Sequence, residues 1–212
     1  MKITALLPIK HHSERVPNKN FRTLGWSPLY RWILETICSM PEIDQVVINT
    51  DSDLVSASGL SRVSIRRRKK ELCGNDVDMN RIIADDVEAF PSDIYIQTHA
   101  TNPFISSNTI RRALAEFRKG THDSLFSVNA VQVRYYDHLG RAINHDPEHL
   151  IPTQDLQPIY QENSCLYIFS QASFVYHRKR IGAHPLMFET PVDESLDIDN
   201  EDNFKLAQAL AQ

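Results

Sequence analysis

Short apolar runs alternate with segments of helical periodicity along the first 130 residues, and this alternation constrains the fold more than any other feature. The apolar runs cover residues 3–9, 45–49, 94–98 and 124–128, and the helical segments between them cover 29–37, 79–90 and 110–117. Strands separated by helices predict a parallel sheet that is covered by helices on both faces. We therefore expect an α/β chain built on a doubly wound sheet.

The alternation lapses after this region into a polar excursion, which we place at residues 129–163. It contains Gly140, Pro147 and Pro152 together with three histidines, as functional loops and interface arms often do. Apolar runs return at residues 165–169 and 186–189, and residues 201–211 have the pattern of a final helix. A chain of 212 residues that is 42% hydrophobic has enough apolar residues for one core of ordinary size. We therefore expect a single domain over residues 1–212.

The composition excludes several kinds of protein. Only six residues are Gly, and neither the GxGxxG nor the GxxxxGK[ST] phosphate loop occurs. The formal net charge of -4 argues against a nucleic-acid partner, which would call for a basic surplus. No apolar stretch is long enough to cross a membrane, and the three widely spaced cysteines favour a reducing compartment. We expect a soluble, cytoplasmic protein with no membrane partner.

A cationic loop follows the first predicted strand. Residues 10–20 contain Lys10, Arg15 and Lys19, and the same segment includes Ser13 and two asparagines. In doubly wound sheets ligands bind beyond the carboxyl ends of the strands, where backbone N–H groups and cationic side chains can converge on a phosphate. The loop is thus a candidate anion site, although a solvated basic loop with a turn at residues 17–18 would have the same composition.

Two carboxylates stand close to the end of the chain. If residues 196–199 are extended, Asp197 and Asp199 lie on one face and can share one Mg²⁺, which prefers carboxylates together with substrate phosphates. The alternative is that Asp199 caps the final helix, with Asp202 imitating a capping box. This alternative accounts for Asp199 and leaves Asp197 unexplained.

Two further features have ordinary structural explanations. Residues 66–70 form the densest basic run, and such runs usually form a solvated face. His99 ends a predicted strand, where a histidine that makes only structural hydrogen bonds is the commoner finding. Neither pattern alone indicates a site.

Segments spread over nearly the whole chain, in the same order, resemble the motifs of the acylneuraminate cytidylyltransferase family. Residues 7–20 are similar to the family's LPxRxxSxxxPxKN. The other matching segments are 49–52 (STD), 68–72 (RPxxL), 98–104 (LQPTSPL), 123–128 (DSxFSV), 160–168 (YxENGxxYI) and 195–202 (DIDxxED).

The resemblance implies a nucleotidyltransferase that couples CTP to a 2-keto-3-deoxy sugar acid of the sialic type. The products would be a CMP-sugar and pyrophosphate, for cell-surface glycans such as lipopolysaccharide or capsule. It also implies the three-layer α/β/α, Rossmann-like fold of nucleotide-diphospho-sugar transferases and a homodimer formed through residues 129–163.

The family motifs assign roles by position. The implied nucleotide-binding residues are Lys10, Ser13, Lys19, Asn20 and Arg68. The expected sugar-binding residues are His99, Thr101, Gln154, Glu162 and Asn163. Asp197 and Asp199 are the implied Mg²⁺ ligands, and with Lys19 they form the expected catalytic group.

Two other functions are compatible with the sequence. The chain could keep the fold and bind nucleotides without catalysis. It could also be a sugar-nucleotide-dependent glycosyltransferase, a class that uses a DxD-like carboxylate pair. In such enzymes the pair normally follows a mid-chain strand, whereas here it lies close to the C-terminus.

Overall fold

The computed structural model describes residues 1–211, which form a seven-stranded sheet and a separate two-stranded ribbon, with five α-helices. The strands are β1 (Ile3–Ile9), β2 (Thr23–Leu24), β3 (Ser27–Pro28), β4 (Gln45–Thr50), β5 (Val63–Arg67), β6 (Ile94–Gln97), β7 (Ser124–Val131), β8 (Ile159–Ser170) and β9 (Pro185–Glu189). The helices are α1 (Leu29–Cys38), α2 (Met79–Ala89), α3 (Ser107–Phe117), α4 (Gln171–His177) and α5 (Glu201–Leu210).

The large sheet has the order β5-β4-β1-β6-β8-β7-β9, and β2 pairs with β3 in the ribbon. Strand β8 runs antiparallel to both of its neighbours, β6 and β7, and the other neighbouring pairs of the large sheet are parallel. The α/β class is confirmed, and the expectation of a wholly parallel sheet is wrong for β8. An antiparallel neighbour needs no helical crossover, and no α-helix lies between β7 and β8.

Strand β1 shows why the sheet is covered on both faces. Its alternate residues Ile3, Ala5, Leu7 and Ile9 pack in a buried cluster with apolar side chains of α1 and α3. Leu6 points the other way and packs with residues of α2 and α4. The expected three-layer α/β/α arrangement is therefore present.

Several elements depart from the sequence patterns, among them the short strands β2 and β3, which were not predicted. Helix α3 begins at Ser107 rather than residue 110, because the Ser106 side chain accepts a hydrogen bond from the Thr109 N–H and caps it. Strand β5 was not predicted, because basic residues interrupt its short apolar pattern at the sheet edge. Helix α4 is only seven residues long and was also missed.

The polar excursion is shorter than predicted. Strand β7 continues to Val131 and β8 begins at Ile159, which leaves residues 132–158 between them. The Gln132 side-chain amide donates to the carbonyl oxygens of Gln154 (3.2 Å) and Leu156 (2.9 Å) and ties the two ends of the segment together. Among residues 1–211, no helix has both the length and the apolar character needed to cross a membrane.

Candidate active site

A small apolar cluster joins the cationic loop to the carboxylate segment. It contains Val16 from the first loop and Ile198 from between the two aspartates, both fully buried, together with residues of β2, α1 and α5. The Ile198 N–H also donates to the carbonyl oxygen of Thr101 at 2.9 Å. Three segments that are distant in sequence are thus fixed together beyond the carboxyl ends of β1 and β6.

A cavity of about 370 Å³ lies where these segments meet. Its lining includes most of the site residues predicted from sequence: Lys10, Ser13, Lys19, Asn20, Arg68, His99, Thr101 and Asp199. The structure therefore brings the predicted nucleotide-binding residues together with one of the two carboxylates.

Lys19 is buried at the centre of this arrangement. Asn18 adopts a left-handed conformation (φ 54°) and starts a 3₁₀ turn at Lys19–Phe21. The Lys19 ammonium group donates to the carbonyl oxygen of Ile198 and lies 3.7 Å from Asp199 Oδ1. Burial lowers the pKa of Lys19, and the nearby Asp199 and Asp197 oppose that effect. The predicted turn is present, but the loop is not simply a solvated one.

Asp199 faces two cations. Its Oδ1 atom lies 2.8 Å from Arg15 Nη2 in a largely exposed ion pair, in addition to its contact with Lys19. It does not cap the final helix: Asn200 holds that position and accepts a hydrogen bond from the Asn203 N–H at 2.8 Å. The capping alternative for Asp199 is therefore wrong.

Asp197 is more enclosed than Asp199. Burial raises its pKa and the Asp199 charge acts in the same direction, while the Thr101 hydroxyl and Lys19 lower it. Its Oδ1 atom is buried and has no hydrogen-bond partner in the described part of the chain. A buried carboxylate oxygen without a partner is costly, and a bound cation would satisfy it.

Asp197 and Asp199 carry the oxygen ligands that a magnesium ion prefers, although the structure assigns no strand to residues 196–199 and only Asp199 lines the cavity. No cluster of three or more His, Cys, Asp or Glu side chains suited to a metal occurs within residues 1–211. Mg²⁺ commonly binds through one or two carboxylates and completes its shell with substrate phosphates and water. A two-carboxylate site beside a cationic loop has that chemistry.

Arg68 is a buried cation that also lines the cavity. Its Nε atom donates to Asn49 Oδ1 (2.8 Å), and its Nη2 atom donates to the carbonyl oxygens of Asn49 (2.7 Å) and Ile9 (3.3 Å). The Asn49 amide in turn donates to Asp86 at 2.7 Å, and burial raises the pKa of Asp86 to about 7. The guanidinium group is therefore held at the ends of β1 and β4.

The basic run around Arg68 is a solvated face only in part, since Arg67, Lys69 and Lys70 are exposed. Arg66 pairs with Asp85 at 2.9 Å and Lys69 pairs with the same carboxylate at 2.6 Å. Arg68 itself is 6% exposed. The expectation from charge density is wrong for Arg66 and Arg68, because helix α2 presents carboxylates to this part of the run, which sequence periodicity could not show.

A hydrogen-bonded link closes one side of the cavity. Lys10 Nζ donates to Asn75 Oδ1 at 3.1 Å, and the Asn75 amide group donates to Glu14. These contacts bring the segment before α2 against the first loop. The apolar side chains of Val77 and Met79 line the cavity on this side.

The predicted sugar-binding residues separate into two groups. His99 and Thr101 line the cavity. Glu162 lies beside it in a cluster with Tyr167, whose hydroxyl donates to its carboxylate. Gln154 belongs to the excursion and is exposed, whereas the Asn163 amide donates to Asn129 (3.0 Å) and Thr190 (2.6 Å). The structure does not place Gln154, Glu162 or Asn163 on the cavity wall.

Sequence reasoning missed Arg180 and Gln97. The Arg180 guanidinium lies 3.5 Å above the ring centre of Tyr167 and donates to Gln97 Oε1 at 2.7 Å. Gln97 Nε2 is 2.8 Å from Nε2 of His99. Arg180 follows another Arg and a Lys after α4, so only knowledge of strand pairing could have distinguished it from its neighbours.

Several known proteins are similar to this chain. Residues 4–212 match the family model described as Cytidylyltransferase. CMP-N,N'-diacetyllegionaminic acid synthase of Legionella pneumophila is 26% identical, and the match covers 100% of this chain and 97% of that protein. N-acylneuraminate cytidylyltransferase of Oncorhynchus mykiss is 24% identical over 97% of this chain and 49% of that protein.

The fold is also similar to that of a solved enzyme. The structure of CMP:2-keto-3-deoxy-manno-octonic acid synthetase complexed with CTP superposes with a TM-score of 0.67. The match covers 99% of this chain and 98% of that one at 13% identity, so it bears on the fold alone.

Proposed function

The chain belongs to the cytidylyltransferase family, and from this premise we propose that it couples CTP to a 2-keto-3-deoxy sugar acid. The products are pyrophosphate and a CMP-sugar, and the CMP-sugar serves cell-surface glycan synthesis. The observation that carries the proposal is the convergence of Lys10, Lys19 and Arg68 with Asp199 on one cavity. The names of the relatives, which are CMP-sugar acid synthases and cytidylyltransferases, support this choice of substrates.

In the proposed reaction the 2-hydroxyl oxygen of the sugar acid bonds to the α-phosphorus of CTP and loses its proton to water. The bond from that phosphorus to the oxygen bridging to the β-phosphate breaks, and pyrophosphate leaves. Transfers of this kind depend mainly on positioning and on neutralising charge. Lys10, Lys19 and Ser13 hold the triphosphate, and Arg68 provides a fixed buried cation.

Asp197 and Asp199 are the residues that would hold Mg²⁺. When bound, the ion neutralises charge on the phosphate oxygens. Lys19 belongs to the cationic loop and lies beside these carboxylates, so its ammonium group balances the charge of both the phosphates and the aspartates. Arg15, which pairs with Asp199, is available to move to an incoming phosphate.

An assay with CTP, UTP and ATP against several 2-keto-3-deoxy acids tests the proposal. We expect pyrophosphate release with CTP only in the presence of one of the acids. Binding of CTP without turnover on any acid would favour the non-catalytic nucleotide-binding alternative. Consumption of a preformed CMP-sugar as donor to an alcohol acceptor would favour the glycosyltransferase.

We also propose that the protein is a homodimer that associates through the excursion. The excursion exposes large apolar side chains, including Leu139, Ile143 and Leu150, each at least 59% exposed. Such side chains grouped on one surface commonly mark an interface. Light scattering should give about twice the 24.4 kDa mass of the chain, and a mass of one chain at micromolar concentration would contradict this proposal.

A cytoplasmic location is proposed as well. Cys38, Cys73 and Cys165 are free thiols, which is typical of proteins in reducing compartments.

A further inference from the structure

One ring nitrogen of His99 meets two hydrogen-bond donors at the inner wall of the cavity. Gln97 Nε2 lies 2.8 Å and Arg180 Nη1 lies 3.3 Å from Nε2 of His99. The orientation of the Gln97 amide is fixed because its oxygen accepts from Arg180, which can only donate. His99 Nε2 must therefore accept, and the ring must be the neutral tautomer that carries its proton on Nδ1.

Arg180 is held firmly in this position. Its guanidinium carbon lies 3.5 Å from the ring centre of Tyr167, and its Nη2 atom lies 3.8 Å from Glu162 Oε1. Its backbone N–H donates to Asn80 Oδ1 at 3.0 Å. A cation stacked on an aromatic face in a largely buried site is well stabilised, so Arg180 is a rigid donor to its neighbours.

The charges around His99 oppose its protonation. Arg180, from the segment after α4, and Lys19, from the first loop, are the cations that act on the ring. The nearby carboxylates, Glu162 on β8 and Asp78 before α2, act on Arg180. Burial and the two cations together lower the pKa of His99 to about 3.

We propose that Arg180 is a positioning residue for the acceptor substrate: with Gln97, it fixes His99 so that the Nδ1–H group donates to an oxygen of the sugar acid. The inference rests on the proposed function, which places a sugar acid beside His99. No protein group in the described chain forms a hydrogen bond with His99 Nδ1, and His99 lines the cavity. A neutral donor recognises an oxygen atom without adding a charge that varies with pH.

The proposal gives Arg180 a pH signature that a purely structural residue would lack. In the wild-type enzyme His99 should contribute no change to the KM for the sugar acid between about pH 6 and 8. In Arg180→Met the loss of one cation and one donor should raise the pKa of His99 towards its ordinary value, so that protonation begins near the lower end of that range even though burial still opposes it. Its positive form would then attract the anionic acid, so the KM should become smaller as the pH falls.

Nitrogen NMR of enzyme labelled at histidine measures the ring directly, and His99→Gln identifies its signals. We expect the wild-type ring to remain in the neutral Nδ1–H form down to about pH 5, and the Arg180→Met ring to titrate. Arg180→Lys is the matched control, because it keeps the cation and should keep the ring neutral. Titration of the wild-type ring near its ordinary pKa, or an Nε2–H tautomer, would overturn the proposal.

Kinetics separate positioning of the sugar acid from a general loss of structure. At pH 8, Arg180→Met should raise the KM for the acid about tenfold, as expected for one lost hydrogen bond, and change the KM for CTP by less than about threefold. The double variant H99Q/R180M should lose the new pH dependence. Equal increases in both KM values, or a pH dependence that persists in the double variant, would contradict the proposal.

The proposed cytidylyl transfer and the positioning role of Arg180 can be rejected separately. If the wild-type enzyme turned over no sugar acid, the proposed function and the ligand named here would both be wrong. The NMR measurement would still show whether Arg180 and Gln97 fix the ring. Turnover of an acid with a titrating wild-type His99 would leave the proposed function intact and reject this inference.

Discussion

Asp199→Asn is expected to lower kcat by more than about 100-fold, since changes to groups that merely support metal ligands already cost about 10- to 100-fold. Its carboxylate is one of the two expected Mg²⁺ ligands, and an amide is a weaker ligand without charge. The free energy of unfolding should fall by less than about 1 kcal/mol, because the ion pair with Arg15 is largely exposed. Pyrophosphate release and urea unfolding measure the two effects.

Asp202→Asn is the matched control for this change. Asp202 stands three residues away at the start of α5 and, within residues 1–211, forms an ion pair only with the exposed Lys205. Its replacement by Asn removes the same charge. Its kcat should stay within about twofold of the wild type, since surface substitutions of this kind usually have small effects. Turnover of Asp199→Asn at the rate of Asp202→Asn would exclude Asp199 as a ligand that the reaction needs.

Lys19→Met should lower kcat/KM for CTP by about 10²- to 10³-fold, the usual effect of removing one fixed donor from a developing charge. Methionine has nearly the same length and keeps the contacts of the aliphatic stem. It removes the ammonium group that lies between Asp199 and the carbonyl oxygen of Ile198. Initial rates at varied CTP concentration measure the change.

Two further variants make this result specific. Lys19→Arg keeps the positive charge and should recover part of the lost kcat/KM. Lys70→Met removes an exposed cation from a 3₁₀ turn and should change kcat/KM by less than about twofold. A loss in Lys19→Met no larger than that in Lys70→Met would show that the triphosphate is held elsewhere.

Much of the fold and part of the site could be predicted from sequence, because they depend on local patterns. The alternating runs predicted β1, β4, β6 and β7, and the family motifs predicted that Lys19 and Asp199 belong to one site. Strand β8 was recognised by its apolar residues, but its direction was not. The direction depends on how the excursion returns to the sheet, and no residue pattern within β8 records that.

The interactions that sequence could not supply join residues on different elements. Asn49 and Asp86 lie 37 positions apart, and their hydrogen bond supports Arg68 only because α2 packs over β4. Arg180 meets His99 because β8 is antiparallel to β6 and α4 follows β8 directly. Each residue is ordinary in its local sequence, so its role appears only with the sheet order.

Phosphorus NMR of the enzyme with CTP, Mg²⁺ and an accepted sugar acid tests the central claim most directly. The account predicts that the three CTP signals disappear together, while one phosphodiester signal of the CMP-sugar and the signal of pyrophosphate appear in equal amounts. Without the acid, CTP should persist. Release of inorganic phosphate and CDP, or loss of CTP at the same rate without the acid, would contradict cytidylyl transfer at this site.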